Sequence, residues 1–235
     1  MTDPVNVGLS GRILITGGGS GLGAAVAAAV RAAGGTPIIL DRDISSAGDV
    51  AAYEADVSDG RAVEEVVRRI ADEQGGLEGV VTAAGIDRCG RLEDVDPDEW
   101  ERVIGVNLIG TAAVVRAALP SLMASHGRVV TVASSLALRA VADATAYCAS
   151  KFGVLGFSRA LAAETRGQIG VTTLIPSGMS TRFFDDREEK YKPPSDANLN
   201  DPRAVADAVV FALGQPRGCE VRELVICHEE EESWP

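Results

Sequence analysis

Arg12-Ile13-Leu14-Ile15-Thr16-Gly17-Gly18-Gly19-Ser20-Gly21-Leu22-Gly23 is the stretch on which the fold turns. Its first five residues form an apolar run stopped by glycines, which reads as a short buried strand. Residues 22–33 are rich in Ala and Val and end at Gly34-Gly35, a helix with its stop signal. Glycines between a buried strand and a helix permit a tight turn and let backbone N–H groups approach a pyrophosphate at the helix N-terminus. A glycine cluster by itself says little, because ordinary turns use glycine too. The strand before it and the helix after it give it weight.

The same alternation continues outward. Residues 37–41 read as a second buried strand and 51–55 as a weaker one. Val63, Val66, Val67 and Ile70 then recur at i, i+3, i+4 and i+7, one face of an amphipathic helix. Residues 79–82 form a further strand. Asp96-Pro97-Asp98-Glu99 supplies an N-cap, a proline at the first helical position and a capping-box acid, which predicts a long helix to about Ser125. Strands at 128–133, 170–175 and 222–227, with helices at 145–164 and from Asp201-Pro202 to Leu213, complete the series. The strands are continuous apolar runs and alternate with helices, so the expected fold is α/β: one doubly wound Rossmann-type domain over 1–235, a seven-stranded, mostly parallel sheet covered by helices on both faces. No internal repeat or linker divides it.

Asp41 ends the second strand, 18 residues beyond Gly23. A carboxylate there accepts hydrogen bonds from adenosine ribose hydroxyls and repels a 2′-phosphate. Ser20 adds no positive charge to the loop. Both features favour NAD over NADP. Arg42 is the counterweight, since a guanidinium can hold a phosphate. The plain alternative for Asp41 is a turn residue in Asp41-Arg42-Asp43.

Bulk properties exclude several classes. The chain has 235 residues, 46% hydrophobic and 24% charged, and a net charge of −12. That balance belongs to a globular protein with a substantial core, and the acidity offers no basic footprint for nucleic acid or an anionic membrane. Cys89, Cys148, Cys219 and Cys227 form no CxxC pair and have no His at ligand spacing, so neither a metal site nor a disulfide framework is expected. That usage suits a reducing cytosol. Residues 1–9 lack the basic and apolar regions of a signal peptide, and no uninterrupted apolar stretch of roughly 20 residues is present to span a bilayer. The carboxylates Glu229 to Glu232 read as a solvated terminus within an acidic tail at 228–235, with an interaction tail as the alternative.

Tyr147-Cys148-Ala149-Ser150-Lys151 places a phenol and an ammonium at i and i+4 on one helix face. A free tyrosine has a pKa of about 10, and a nearby lysine stabilises its phenolate. Such a Tyr can exchange a proton with a substrate oxygen. Ser134, thirteen residues earlier, follows the strand 128–133 at its carboxyl end, where a doubly wound sheet lines its ligand crevice. Its hydroxyl can orient a substrate oxygen. Ser135 is the rival for that place. YxxxK alone occurs on many unremarkable helix surfaces.

Taken together, Thr16 to Gly23, Asn107, Ser134 and Tyr147 to Lys151 resemble the short-chain dehydrogenase/reductase family, whose single-domain branch carries TGxxxGxG, N, S and YxxxK in this order. The resemblance covers essentially the whole chain. It implies Tyr147 as general acid/base and Lys151 as the group that lowers its pKa and binds the nicotinamide ribose. It further implies Ser134 positioning the substrate oxygen, and Asn107 in a helix distortion holding a water that relays protons through Lys151. On the cofactor side it implies Gly17, Ser20, Gly21 and Leu22 at the pyrophosphate and Asp56-Val57 bracketing adenine. Ala83-Ala84-Gly85 would lie under adenosine, and Pro176, Met179 and Thr181 by the nicotinamide carboxamide. The family's NNAG is Thr82-Ala83-Ala84-Gly85 here, so looser local hydrogen bonding is expected. Ser177 stands where the family has a glycine, and a glycine-rich end after the last strand is replaced by His228 and the acidic tail.

The activity this implies is hydride transfer between NAD and a small alcohol or carbonyl substrate. A catalytically silent NAD-binding sensor or scaffold is the alternative from another class. An epimerase or dehydratase of nucleotide sugars ranks last, because those relatives use TGxxGxxG and a separate substrate domain. The variable lid is expected at 182–200, with Phe183, Phe184 and Tyr191, and the pocket at Ile86, Asp87, Leu136, Ala137 and Met179. Residues 103–122 and 146–163 are apolar all round, which implies burial all round. Either the core is thick and alanine-filled, or these helices pair with the same helices of a second subunit, the favoured reading; the family resemblance implies a homotetramer ahead of a dimer.

Overall fold

The computed structural model describes residues 9–230, so most of the stretch 1–9 and the end of the acidic tail lie outside the described residues. Seven strands form one sheet: β1 (Arg12–Thr16), β2 (Thr36–Asp41), β3 (Ala51–Glu54), β4 (Gly79–Thr82), β5 (Arg128–Val132), β6 (Gly170–Pro176) and β7 (Glu223–Ile226). Their order is β3-β2-β1-β4-β5-β6-β7, and every pairing is parallel. The chain winds one way from β1 to β3 and the other way from β4 to β7. The reversal falls between β1 and β4, whose carboxyl ends open a crevice there.

The helices are α1 (Gly21–Ala32), α2 (Gly60–Gln74), α3 (Pro97–Ile104), α4 (Thr111–Ser125), α5 (Thr145–Glu164) and α6 (Pro202–Leu213). Strand alternation splits the core into two layers. Leu14, Ile38, Leu40, Val80 and Val129 pack with α2, α4 and the end of α5, while Ile13, Ile15, Ile39, Val81 and Val130 pack with α1 and α6. Period-two alternation therefore serves two buried faces, which is why the strands read as unbroken apolar runs.

Local chemistry sets the helix starts. Asp59, Asp96 and Asp201 each accept a backbone N–H of the first turn, with Pro97 and Pro202 just inside two of these helices. The capping box expected at Asp96 does not close, because Glu99 reaches Arg88 at 2.7 Å instead. The long helix expected to Ser125 is also not uniform. Residues Gly105–Gly110 form a π-helical stretch between α3 and α4, a widened turn of the kind found at functional sites. By length and apolarity the run Pro97–Ser125 could cross a bilayer, but 56% of its apolar window is buried against this fold, the situation of a core helix.

Candidate active site

Thr16 delivers the chain from β1 into a turn that only small residues fit. Gly17 has φ +70°, and a Cβ there would lie 2.7 Å from the Ala84 amide nitrogen. At Gly23 a Cβ would lie 2.1 Å from the Gly17 carbonyl oxygen. Apart from Ser20, the turn consequently stays bare of side chains at the N-terminus of α1, the arrangement that admits a phosphate to backbone N–H groups. Asp41 Oδ2 accepts the Gly19 N–H at 2.9 Å and Oδ1 the Asp43 N–H at 3.1 Å. It is thus a turn residue and a cleft carboxylate at once.

The crevice at the reversal point has a volume of about 690 Å³. Gly17, Ser20, Gly21, Leu22, Asp41, Asp56, Val57, Ala83, Ala84, Gly85, Pro176, Met179 and Thr181 all line it, together with Ser134, Tyr147 and Lys151. A Cβ on Gly21 would come within 3.7 Å of Thr181, so the glycine loop and the segment after β6 face each other across it. Asp56 turns its carboxylate back on the Ser58 N–H and hydroxyl, contacts that hold its pKa below the usual range, with Arg102 and Arg42 adding to the effect.

Asn107 stands behind this lining. In the π-helical stretch its Oδ1 accepts the Ile86 N–H at 2.9 Å, and its Nδ2 donates to the Ile86 carbonyl at 2.9 Å and to Ser150 Oγ at 3.0 Å. Those bonds, with Thr16 Oγ1 accepting the Ala84 N–H at 3.2 Å, hold the segment after β4. The loosening expected from the missing asparagines is therefore offset from outside the motif. Ser177 similarly earns its place: Asn200 Nδ2 donates to its hydroxyl at 2.8 Å, and Asn200 also pairs with Gly178 and Ser180 through its backbone. Sequence reasoning missed Asn200, because nothing local marks a staple 23 residues away.

Tyr147 and Lys151 lie one turn apart on α5, with Lys151 Nζ 5.5 Å from the Tyr147 ring centroid. Lys151 is buried and donates to the Val132 carbonyl at 2.8 Å. Burial pulls its pKa down to about 8, against the opposing charge of Asp87. For Tyr147 the chain's own groups reverse the expected shift. Burial and then the Asp87 charge push the phenol above its ordinary value, while a hydrogen bond to Ser134 and the charge of Arg187 pull it back. Ser134, buried at the end of β5, also accepts the Leu136 N–H at 3.1 Å.

The far wall of the cleft comes from residues 182–187. Phe183 packs against the Tyr147 ring at 5.8 Å between centroids, and the Arg187 guanidinium lies over Phe183 and Phe184. Arg187 forms an ion pair with Asp87 at 2.5 Å. Ile86, Asp87, Leu136 and Met179 line the cleft as expected. Ala137 does not. It packs into a small core with Val154 and Ile175. Tyr191 likewise stays out of the lining and offers only its carbonyl to Arg187.

A doubly wound sheet with a bare glycine turn at its reversal point defines a dinucleotide-binding α/β protein. A family model for short chain dehydrogenases matches residues 12–192. An uncharacterized oxidoreductase of Staphylococcus aureus (strain MW2) is 30% identical, over 91% of this chain and 95% of its own length. Glycine betaine reductase of Emericella nidulans is 32% identical over 93% of this chain, which spans only 19% of that protein. Among solved structures, an alcohol dehydrogenase from the archaeon Thermococcus sibiricus complexed with 5-hydroxy-NADP aligns with a TM-score of 0.83 at 24% identity, covering 93% of this chain and 96% of that one, a likeness of fold. The chain belongs to the short-chain dehydrogenase family, whose members are oxidoreductases that use a nicotinamide cofactor.

Proposed function

We propose that this chain is an NAD-dependent oxidoreductase acting on the CH–OH or C=O group of a small organic substrate, with residues 1–235 as one catalytic unit. The observation that carries this reading is the convergence of Ser134, Tyr147 and Lys151 on the cleft that the glycine turn opens. NAD would be held by the turn at Gly17 to Leu22, by Asp41, by Asp56-Val57 and Ala83 to Gly85, and by Pro176, Met179 and Thr181. When bound it supplies the hydride acceptor or donor.

The chain's own residues handle the proton. Ser134 Oγ, in hydrogen-bond contact with the phenol, positions the substrate oxygen beside Tyr147 Oη. Tyr147 Oη takes the hydroxyl proton in oxidation and returns it in reduction. Lys151 places an ammonium beneath the ring and favours the phenolate. Asn107 holds the Ile86 segment and α5 together, and so fixes the geometry in which Lys151 passes protons on. Residues 182–187 wall the substrate end, with Phe183 and Phe184 as its apolar surface.

NAD is favoured over NADP because the Asp41 carboxylate lies in the lining where a 2′-phosphate would need a cation. Arg42 lines the cleft as well, the counterweight to that carboxylate. The four free thiols suit a reducing, cytoplasmic setting.

We also assign a second copy of this chain to α4 and α5. The two helices are not buried all round as expected. Ile109, in the π-helical stretch just before α4, and Phe152 of α5 are 52% and 45% exposed, and α5 leaves Ala149, Gly156, Ala160 and Ala163 bare along the face of Phe152. An isologous dimer would cover it.

The test follows absorbance at 340 nm with NAD and a panel of secondary alcohols, polyols and hydroxyacyl compounds, with Tyr147→Phe beside the wild type. Turnover that vanishes in the variant supports the reading. Protein that binds NADH but turns over nothing across the panel, in either direction, overturns it in favour of a silent cofactor-binding role.

A further inference from the structure

The chain has only five phenylalanines, and two of them, Phe183 and Phe184, stand side by side in the wall of the cleft. They lie in a single 3₁₀ turn, Arg182–Phe184, started by the Thr181 hydroxyl, which accepts the Phe183 N–H at 3.3 Å. The two rings meet edge to face at 5.5 Å between centroids, and Phe183 also packs on the Tyr147 ring. Both stay half-buried. A loop that holds two aromatic rings partly open to a cleft keeps apolar surface out of the core, where an apolar ligand can complete its burial.

Arg187 braces this wall without making it polar. Its guanidinium lies over both rings, 5.6 Å from the Phe183 centroid and 4.6 Å from that of Phe184. It is fastened to Asp87 Oδ2 at 2.5 Å and to the Tyr191 carbonyl at 3.2 Å. The Asp87 side chain is 3% exposed, and Asp87 Oδ1 and Arg187 Nε are sealed from solvent. The two charges thus answer each other and pin the rings. Ile86, Leu136 and Met179 extend the apolar lining.

The remaining charges of this stretch lie elsewhere or in water. Arg182 acts on Asp43, which packs on the glycine turn at Gly19, so it belongs to the cofactor side. Asp185 and Asp186 are exposed, keep their hydration and oppose a substrate carboxylate. Ser134 and Tyr147 provide hydrogen bonds for one substrate oxygen. A second hydroxyl or a charge brought against the phenylalanine wall would give up water without gaining a partner.

We infer that the cleft beside Phe183 and Phe184 takes an apolar substituent of the reacting carbon, aryl or alkyl, so that the chain selects mono-oxygenated apolar alcohols and ketones against polyols and charged hydroxy compounds. This rests on the reading of the cleft as a hydride-transfer site and adds its substrate class.

The test uses alcohols of closely similar shape, each enantiomer separately. Butan-2-ol is compared with propane-1,2-diol and 1-aminopropan-2-ol, in which hydroxyl or ammonium replaces its end methyl, and with lactate, which carries a carboxylate. The wild type is expected to favour butan-2-ol over each of the three by at least about tenfold in kcat/KM. It should favour 1-phenylethanol over propan-2-ol by at least about tenfold as well. Phe183→Ser and Phe184→Ser should each lower these ratios at least about threefold. Ratios are the readout, because Phe183 also packs on the catalytic phenol and its loss slows every substrate. NADH binding and thermal melts check that each variant is folded. Binding is measured apart from turnover by calorimetry, titrating acetophenone and 2-hydroxyacetophenone into Tyr147→Phe saturated with NADH. Equal or better use of the diol, the amino alcohol or lactate by the wild type overturns the inference. So does the absence of any gain from phenyl over methyl, or ratios that both serine variants keep. Acetophenone binding more tightly than its hydroxylated analogue, in a chain whose wild type turns over no probe, upholds the apolar pocket and rejects the hydride-transfer reading. Neither turnover nor acetophenone binding overturns the inference, whatever NADH binding shows.

Discussion

Asn107 Nδ2 donates to Ser150 Oγ at 3.0 Å, so the π-helical stretch is fastened to α5 one residue before Lys151. The same amide clamps Ile86 through both its N–H and its carbonyl. One buried side chain thereby joins three pieces of backbone that meet at the cleft.

Replacing it with an isosteric apolar group should be costly. Asn107→Leu leaves the Ile86 groups and Ser150 without their partner and is expected to destabilise by about 3 kcal/mol, or roughly 6–12 °C in Tm. Ser150→Ala, which removes one of the three bonds, should cost about 1 kcal/mol. Thermal melts of both single variants and the double variant would check the coupling. Losses that simply add would show that Asn107 and Ser150 act separately.

How much of this was legible beforehand depended on sequence distance. The sheet was readable because its central strands are mostly apolar runs between punctuating glycines and caps, with β3 the weakest signal. The loop, Asp41 and the Tyr147–Lys151 spacing are local patterns, and the cleft contains them all. Asn200 on Ser177, and Arg187 on Asp87 across 100 residues, could not be read, because a polar side chain in a charged loop carries no sign of its partner. The shift of Tyr147 was misjudged for a related reason. Helical spacing shows the lysine, but not the burial or the carboxylate from another strand.

The glycine turn offers a sharper contrast. Gly17→Ala puts a Cβ 2.7 Å from the Ala84 nitrogen at φ +70°. It should lower stability by about 2 kcal/mol and weaken NADH binding at least tenfold, measured by NADH fluorescence. Gly60→Ala, at the start of α2 with only ordinary contacts to Ala113 at 3.6 Å and Ile109 at 3.8 Å, should instead stabilise by about 0.5 kcal/mol. NADH affinity unchanged in Gly17→Ala would remove the turn from the cofactor site.

Asp41 sets the expected cofactor choice. Wild-type protein should bind NADH more tightly than NADPH by about 2 kcal/mol, roughly thirtyfold. Asp41→Ala should shrink that gap, and NADH itself should bind less well because the Gly19 and Asp43 N–H groups lose their acceptor. Equal wild-type affinities in a fluorescence titration would refute the preference for NAD.

Lys151 gives a pH dependence whose sign follows from its burial. Its pKa is near 8 in the folded chain against 10.5 for a free side chain. Between those values the unfolded chain binds more protons, so this group's contribution to stability rises with pH, and its penalty is complete below pH 8. The penalty is of order 3 kcal/mol, reduced by the bond to the Val132 carbonyl. Lys151→Met should therefore be inactive yet more stable than wild type by about 1–2 kcal/mol at pH 7, with the gain fading by about pH 10. Melts across that range would decide. A variant less stable by the same margin at both ends would mean that the ammonium is not strained by burial.

The bare face of α4 and α5 makes the last prediction. Burying Phe152 against a partner contributes about 1.5–3 kcal/mol per subunit, and a two-fold interface counts each substitution twice. Phe152→Glu should thus raise the dissociation constant by at least about a hundredfold and yield monomers in size exclusion with light scattering. Phe211→Glu, on the equally exposed outer side of α6, should leave the assembly unchanged. The comparison works because both phenylalanines are about half exposed, at 45% and 49%, so loss of surface apolarity is the same in each. Dissociation by Phe211→Glu alone would move the interface to α6. A monomeric wild type would leave α4 and α5 as the thick, alanine-rich edge of a single protomer.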